Sequence, residues 1–342
     1  MRLPAEWEPV EAVLLSWPHA ATDWAYMLDE VEDCFVRIAT AIAPHARVLI
    51  VAPDIDHVAS RLAHIPSDRL ILCPMPTNDT WARDFGAITT TDTKGKLFIN
   101  DFKFNGWGLK FASDKDNLIT SRLCDSGIFA ARRINRLGFV LEGGSIESDG
   151  AGVLLTTSEC LLSPNRNGQL TRQDIETYLT DAFGLRKVLW LDHGALEGDD
   201  TDSHIDTLAR LAPPGDVIFY TGCADPDDSH YECLSEMARQ LRTFTTPEGN
   251  PYTLIELPLP DPVYDPDDGT RLPATYANFL IVNRAVLLPV YGQPMKDRQA
   301  ADTLRVAMPD YEIVPVDCRP LIRQHGSLHC VTMQFPENTL SI

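Results

Sequence analysis

Short apolar runs alternate with amphipathic stretches about five times along this chain, and that rhythm excludes most folds before any single residue is weighed. Residues 11–17, 47–52 and 70–73 read as strands. Residues 23–43 read as a long helix, because Met27, Val31, Phe35, Ile38 and Ile42 fall at helical spacing and Pro44 follows them. A short helix is expected at 55–62, extended segments at 97–104, 139–141, 153–157, 188–191, 217–221, 254–257 and 312–316, and helices at 116–123, 231–244 and 296–307. Thr171, with Asp174 three residues on, caps a further helix running to Phe183. Residues 279–290 read either as two strands around Asn283-Arg284 or as one buried strand, and the proline-rich residues 258–273 as a long surface loop. With no linker interrupting the pattern, the expectation is one α/β domain over residues 1–342.

Charge concentrates in a few places. Gly198-Asp199-Asp200-Thr201-Asp202-Ser203-His204-Ile205-Asp206 packs four carboxylates and an imidazole into nine positions. Burying such carboxylates without partners is costly, so the stretch is either a solvated acidic turn or a binder of something cationic. On a strand, His204 and Asp206 would point to one face; on a helix they would not. Ile205, Leu208 and Ala209 also fit a helical stripe ended by Pro213 and Pro214, so both geometries stay open. Three more polar clusters follow apolar runs: Trp81-Ala82-Arg83-Asp84, Glu142-Gly143-Gly144-Ser145, and the closing stretch that carries His325, His329 and Cys330.

The totals narrow the partners. Against 29 basic side chains stand 49 acidic ones, a net charge of −20. That balance argues against nucleic-acid binding, which needs phosphates neutralised, and suits a cationic ligand. The eight cysteines are scattered, with no Cys-x-x-Cys, and read mostly as buried thiols. Glu6, Glu8 and Glu11 interrupt what would be the apolar core of a signal peptide, and no apolar run nears the ~20 residues of a membrane span. A cytoplasmic, reducing location is therefore expected.

Several chemistries fail on spacing. Asp200-x-Asp202-x-His204-x-Asp206 imitates a calcium loop, but Ile205 stands where that loop needs glycine and Leu211 where it needs its bidentate glutamate. His-Glu-x-x-His and the dinucleotide and phosphate-loop fingerprints are absent from the sequence, and no metal is expected. A cysteine nucleophile fares better. Cys330 follows a Gly326-Ser327 turn in a strand-like run, where Leu328 would share its face and His329 and Val331 the other. A base would then come from elsewhere in the chain, and His204 is available.

In order along the chain, Trp81-Ala82-Arg83-Asp84, Glu142-Gly143-Gly144-Ser145, the stretch from Gly198 to Asp206, and Leu328-His329-Cys330 resemble the signature of the agmatine deiminase and bacterial-type (Porphyromonas-type) peptidylarginine deiminase family of guanidine-modifying enzymes. Pro4-Ala5-Glu6-Trp7-Glu8-Pro9, the segment Phe102 to Gly108, the segment Thr156 to Leu162 and Pro164-Asn165-Arg166-Asn167 extend the resemblance over nearly the whole chain. It implies an α/β fold of the pentein type, a fivefold pseudosymmetric propeller of strand-helix units around a central pit. It further implies Cys330 as nucleophile, His204 as general acid and base, Asp84 and Asp206 as carboxylates gripping a guanidinium, and Glu142, Trp81 and Asp200 as substrate-binding residues. No cofactor is implied.

The implied partner is a small cationic guanidinium substrate, agmatine, with a homodimer allowed and neither nucleic acid nor membrane involved. Free or peptidyl arginine is the alternative, and an amidinotransferase or a non-catalytic propeller a more distant one. Arg83 and Lys110 are the basic residues nearest to meet an arginine carboxylate, and neither is expected to serve. Where the family's agmatine deiminases carry Gly-Gly-Gly-Asn before the nucleophile, this chain has His325-Gly326-Ser327, a departure that bears on substrate identity.

Overall fold

The computed structural model describes residues 1–341. Sixteen strands among them form five small sheets, and each sheet repeats one plan. In the first, β1 (Val10–Ser16) is followed by the helix Leu28–Ile42, which returns the chain to β2 (Arg47–Ala52), parallel to β1. The helix buries Val31, Phe35, Ile38 and Ile42 on one face, as their spacing requires. An additional parallel strand, β3 (Leu70–Pro74), completes this side.

The next four sheets each open with a short antiparallel strand. β4 (Ile88–Thr91) pairs with β5 (Leu97–Lys103), and the helix Ile119–Asp125 leads to the parallel β6 (Arg132–Val140). β7 (Ile146–Ser148) and β8 (Val153–Thr157) are followed by the helix Arg172–Phe183 and β9 (Lys187–Leu191). Thr171 caps that helix in a reciprocal capping box with Asp174. β10 (Ala209–Ala212), β11 (Val217–Gly222), the helix Tyr231–Leu241 and β12 (Thr253–Pro258) make the fourth unit. β13 (Leu280–Val282), β14 (Ala285–Val290), the helix Pro294–Ala307 and β15 (Glu312–Asp317) make the fifth. Finally β16 (Met333–Pro336) pairs antiparallel with β1, so the C-terminus supplies the missing outer strand of the first sheet and closes the ring. This is the fivefold α/β propeller.

One open alternative is decided, and other expectations change. Residues 279–290 are two strands turning at Asn283, whose φ is +52°. β6 starts seven residues before the expected 139, because Arg133 and Arg136 disguise it: their guanidinium groups bond Asp101 and Asn100 at 2.8 and 2.7 Å while their stems lie along the sheet. Cys330 lies in a turn ahead of β16, not in a strand-like run. Within residues 258–273, Arg271 is buried against Asp228 through two 2.8 Å bonds, which tethers a segment expected to be a surface loop. One apolar cluster runs from Val10 to Leu340, and a smaller one fills the fourth unit and its border with the third. No helix among the described residues is long and apolar enough to cross a membrane.

Candidate active site

Five connections pass from the last parallel strand of one sheet to the first strand of the next, and each leaves at a strand's C-terminal end, the side where open α/β sheets bind ligands. Trp81 and Asp84 stand on the connection from β3 to β4, Glu142 and Gly144 on that from β6 to β7, and Asp199 to Asp206 on that from β9 to β10. Asn278 stands on the fourth, and His325 to Cys330 on the fifth. Trp81, Asp84, Trp107, Asp200, His204 and Cys330, among others, line a cavity of about 470 Å³, and Asp206 and Asn278 lie against Cys330. A cleft of about 650 Å³ opens beside Glu6, Arg83 and Glu147, but no cysteine or histidine among the described residues lines it.

Gly144 shows how tightly the centre is packed. A methyl group there would lie 2.7 Å from His204 Nδ1, 2.8 Å from Asp84 Oδ1 and 3.1 Å from Asp206 Oδ2, so only glycine lets the three groups meet. His204 and Asp206 sit at neither a strand nor an α-helix: His204 precedes a single 3₁₀ turn, Ile205–Thr207, whose tight winding brings both residues inward. Asp84 accepts hydrogen bonds from Trp107 Nε1 at 2.9 Å and from the Gly144 amide at 3.0 Å, with His204 Nδ1 3.5 Å away. Burial pushes the Asp84 carboxyl up to about 6, the His204 charge resisting and the Asp206 charge assisting. Burial works against the charged form of His204, yet its pKa is raised well above the ordinary value, the Asp84 and Glu142 carboxylates being among the groups that favour its proton.

Cys330 is 6% exposed. Its Sγ receives the Asn278 Nδ2–H at 3.3 Å and lies 3.8 Å from Asp206 Oδ2. Burial raises the thiol pKa well above 9, and the charges of Asp206 and Asp84 raise it further. Asp206 is fully buried; burial opposes its charge, but the hydrogen bond and charge of His329 hold its pKa below the ordinary carboxylate value. Its Oδ2 accepts from His329 Nδ1 at 2.7 Å, whereas its Oδ1 has no hydrogen-bond partner among the described residues.

Glu142 requires a correction. Rather than lining the cavity, it lies behind His204, its Oε2 4.0 Å from Nε2, with both carboxylate oxygens 2.9 Å from Arg166 Nε. Arg166 also bonds Asp202 at 2.5 Å and the Thr201 carbonyl at 2.8 Å, and Lys110 bonds Asp202 at 2.6 Å. Together with Asp199, which accepts from the Thr201 and Ser203 amides at 3.2 and 2.7 Å, these contacts explain how so acidic a loop is held in one shape. Asp200 stands at the mouth, its pKa raised by burial despite the opposing charge of His325. Asp23 and Asp79 join it there; burial pushes Asp79 up to about 7. His325 bonds the Gly198 carbonyl through Nδ1 at 2.8 Å and borders the opening, while Gly326 must lack a side chain because a Cβ would sit 2.2 Å from the Trp81 ring. Arg83 is buried 3.5 Å from Glu6, so neither it nor Lys110 is directed at the cavity.

Asn278, Asp23 and Asp79 were not among the residues expected in the site. Only the recurrence of the inter-sheet connections, counted to five, would have pointed to Asn278. Among the described residues two donor sets lie close enough to share a metal ion, Glu142–Cys160–His204 and Glu6–Glu147–His329. A guanidinium already meets the carboxylates of each, Arg166 in the first and Arg210 in the second, which makes both poor cation sites.

The arrangement can grip a planar cation between carboxylates, present a thiol to it and exchange a proton through an imidazole. Comparison with known proteins agrees. A family profile for Porphyromonas-type peptidyl-arginine deiminase matches residues 2–336. The agmatine deiminase of Stutzerimonas stutzeri is 33% identical over 98% of this chain and 95% of its own. The structure of a C. jejuni agmatine deiminase variant with substrate bound superposes with a TM-score of 0.89 at 38% identity, covering 97% of this chain and 95% of that one. A Porphyromonas gingivalis structure, named provisionally as an arginine deiminase, does so with a TM-score of 0.92 at 51% identity, over 99% of both chains. The chain belongs to the Porphyromonas-type peptidyl-arginine deiminase family.

Proposed function

We propose that this chain, acting as one catalytic unit, hydrolyses agmatine to N-carbamoylputrescine and ammonia, a step toward putrescine. The carrying observation is the cavity's charge: Asp84 inside and Asp23, Asp79, Asp199 and Asp200 towards the mouth, with no lysine or arginine among the described residues of its wall. Agmatine offers a cation at each end and no carboxylate, so both ends are matched. The guanidinium meets Asp84 and Asp206 and lies by the Trp81 ring, and the ammonium faces the acidic mouth.

In the empty site the Cys330 thiol keeps its proton, for the reasons of burial and charge given above. A guanidinium seated beside it reverses that balance, so the thiol releases its proton to water and becomes the thiolate. The thiolate attacks the guanidinium carbon, giving a tetrahedral adduct. Ammonia departs with a proton from His204, leaving an S-alkylthiouronium on Cys330. Water, losing its proton to His204, hydrolyses that adduct and frees the thiol. Glu142 acts through its charge, which favours the protonated form of His204. A thiol nucleophile also fits the cytoplasm, where thiols stay reduced.

Arginine is the second reading, favoured by the provisional naming of the P. gingivalis relative. Against it, Arg83 is spent on Glu6, Lys110 on Asp202 and His325 Nδ1 on the Gly198 carbonyl, so no lysine or arginine among the described residues of the wall awaits an α-carboxylate. Ureido-product formation from agmatine, free arginine and an internal-arginine peptide, measured side by side, tests the proposal. We expect agmatine to lead arginine by at least ~100-fold in kcat/KM; comparable values, or faster turnover of the peptide, would transfer the chain to the second reading.

A further inference from the structure

We propose that His329 is the positioning residue of the deimination site, fixing Asp206 by one ring nitrogen while the N-terminal arm holds the other through Glu6. The proposal rests on the guanidine-hydrolase reading above and explains a motif that reading leaves unused, Pro4 to Pro9. Glu8 folds this arm back on itself, accepting from the Ala5 amide and from Arg2 Nη2, each at 2.8 Å. The fold sends Glu6 inward, where it is 7% exposed. Its Oε1 accepts from the Ile281 amide at 2.7 Å and Arg210 Nη2 at 2.9 Å, and its Oε2 meets His329 Nε2 at 2.6 Å.

The same ring reaches Asp206 Oδ2 through Nδ1 at 2.7 Å. A carboxylate oxygen only accepts, so Nδ1 carries its proton towards Asp206. The ring itself is 1% exposed and its backbone amide is bonded to Asn278 Oδ1 at 2.9 Å, so it has no freedom to swing. One oxygen of Asp206 is thus pinned, and the other, Oδ1, is left without a partner among the described residues. A guanidinium needs an acceptor held in a fixed direction, and this relay supplies it from the side of the site opposite to the ligand. Adjacent to the nucleophile in sequence, His329 faces away from the substrate and acts through Asp206.

The ionisable groups that face Asp206 are His329, His204, Arg210, Arg83, Asp84 and the Cys330 thiol. Of these His329 alone bonds it directly with a ring donor, so its loss raises the Asp206 pKa and moves the acid limb of kcat/KM to higher pH.

Two substitutions separate positioning from packing. In His329→Asn the amide nitrogen takes the place of Nδ1 and can still donate to Asp206; in His329→Gln it takes the place of Nε2 and reaches Glu6 instead. Both lose the imidazole. We expect His329→Asn to stay within about tenfold of wild-type kcat/KM, and His329→Gln to lose about 100-fold with its acid limb shifted to higher pH. Equal activities, a more active Gln variant, an unmoved pH profile in His329→Gln, or failure of both to fold would each assign the ring to packing and overturn the proposal. The assays use agmatine, arginine and the arginine peptide, which present the same guanidinium. Wild type active only on arginine refutes the substrate reading alone; wild type inert on all three refutes both.

Discussion

Asp84→Asn separates the cost of an empty site from its use. The folded carboxyl holds its proton up to about pH 6 against an ordinary 3.8, roughly a hundredfold difference in proton affinity, or about 3 kcal/mol. Because the pKa is raised, the folded state binds the extra proton between those values. Stability therefore falls as pH rises from about 4 to 6, and above that the full penalty is present. Asparagine never ionises and escapes it. It has one acceptor, however, for two donors, Trp107 Nε1 and the Gly144 amide, and leaving one unmet costs about 1–3 kcal/mol. His204 adds a term of the same sign: its raised pKa stabilises the fold at low pH and stops doing so as pH rises through the folded value. Asp84 helps to sustain that term, so its loss trims the gain.

Urea unfolding of the two proteins at about pH 4.5 and 7.5 should show Asp84→Asn gaining about 2 kcal/mol on wild type between the two conditions, since about a third of the penalty is already present at pH 4.5. At the higher pH the two should be of similar stability, the gain and the unmet donor nearly cancelling. Catalysis should move the other way. Replacing a charged contact to guanidinium by a neutral one removes about 1.5–3 kcal/mol, a loss of about 10- to 150-fold in kcat/KM for agmatine, measured as ammonia release. A stability difference independent of pH would refute the argument that Asp84 is ionised at a cost. A kcat/KM within a few-fold of wild type would refute its contact with the substrate.

Two further outcomes are expected. Cys330→Ser should lose activity by several powers of ten while Cys318→Ser and Cys233→Ser retain most of it, and mass spectrometry of wild type during turnover should find the adduct on Cys330 alone. Arg166→Gln should cost about 3–5 kcal/mol in urea unfolding and most of kcat, since it leaves Glu142 buried without its partner and loosens Asp202; an unchanged midpoint would show that the pair is dispensable.

How much of this was legible depends on what each residue buries. The crossover helices announced themselves because each presents an apolar face to its sheet, and Arg47–Ala52 because it is buried over nearly its whole length. The opening strands β4, β7 and β10 did not. They run only three or four residues, and β4 is Ile-Thr-Thr-Thr, whose threonines are buried although their type predicts exposure. Chemically unusual residues were easier: Asp84, His204, Asp206 and Cys330 could be named from charge, motif and family resemblance, and the fold brings them together. Glu142 could be named but not located, because nothing in Glu-Gly-Gly-Ser tells that Arg166 waits behind it.

Asn278 shows what no local reading could supply. Within an apolar run an asparagine reads as a turn, and its value here comes only from arriving beside Cys330 as the fourth of five equivalent connections. The fifth connection carries the nucleophile itself, and three residues after Cys330 the chain enters β16, which closes the ring against β1. Across that closure the Arg83 amide bonds the Cys330 carbonyl at 3.1 Å, joining the first connection to the last. Cys330 is held there by contacts from the connections on either side of its own, Asn278 of the fourth and Arg83 of the first, so the strand that closes the ring also anchors the segment that carries the thiol.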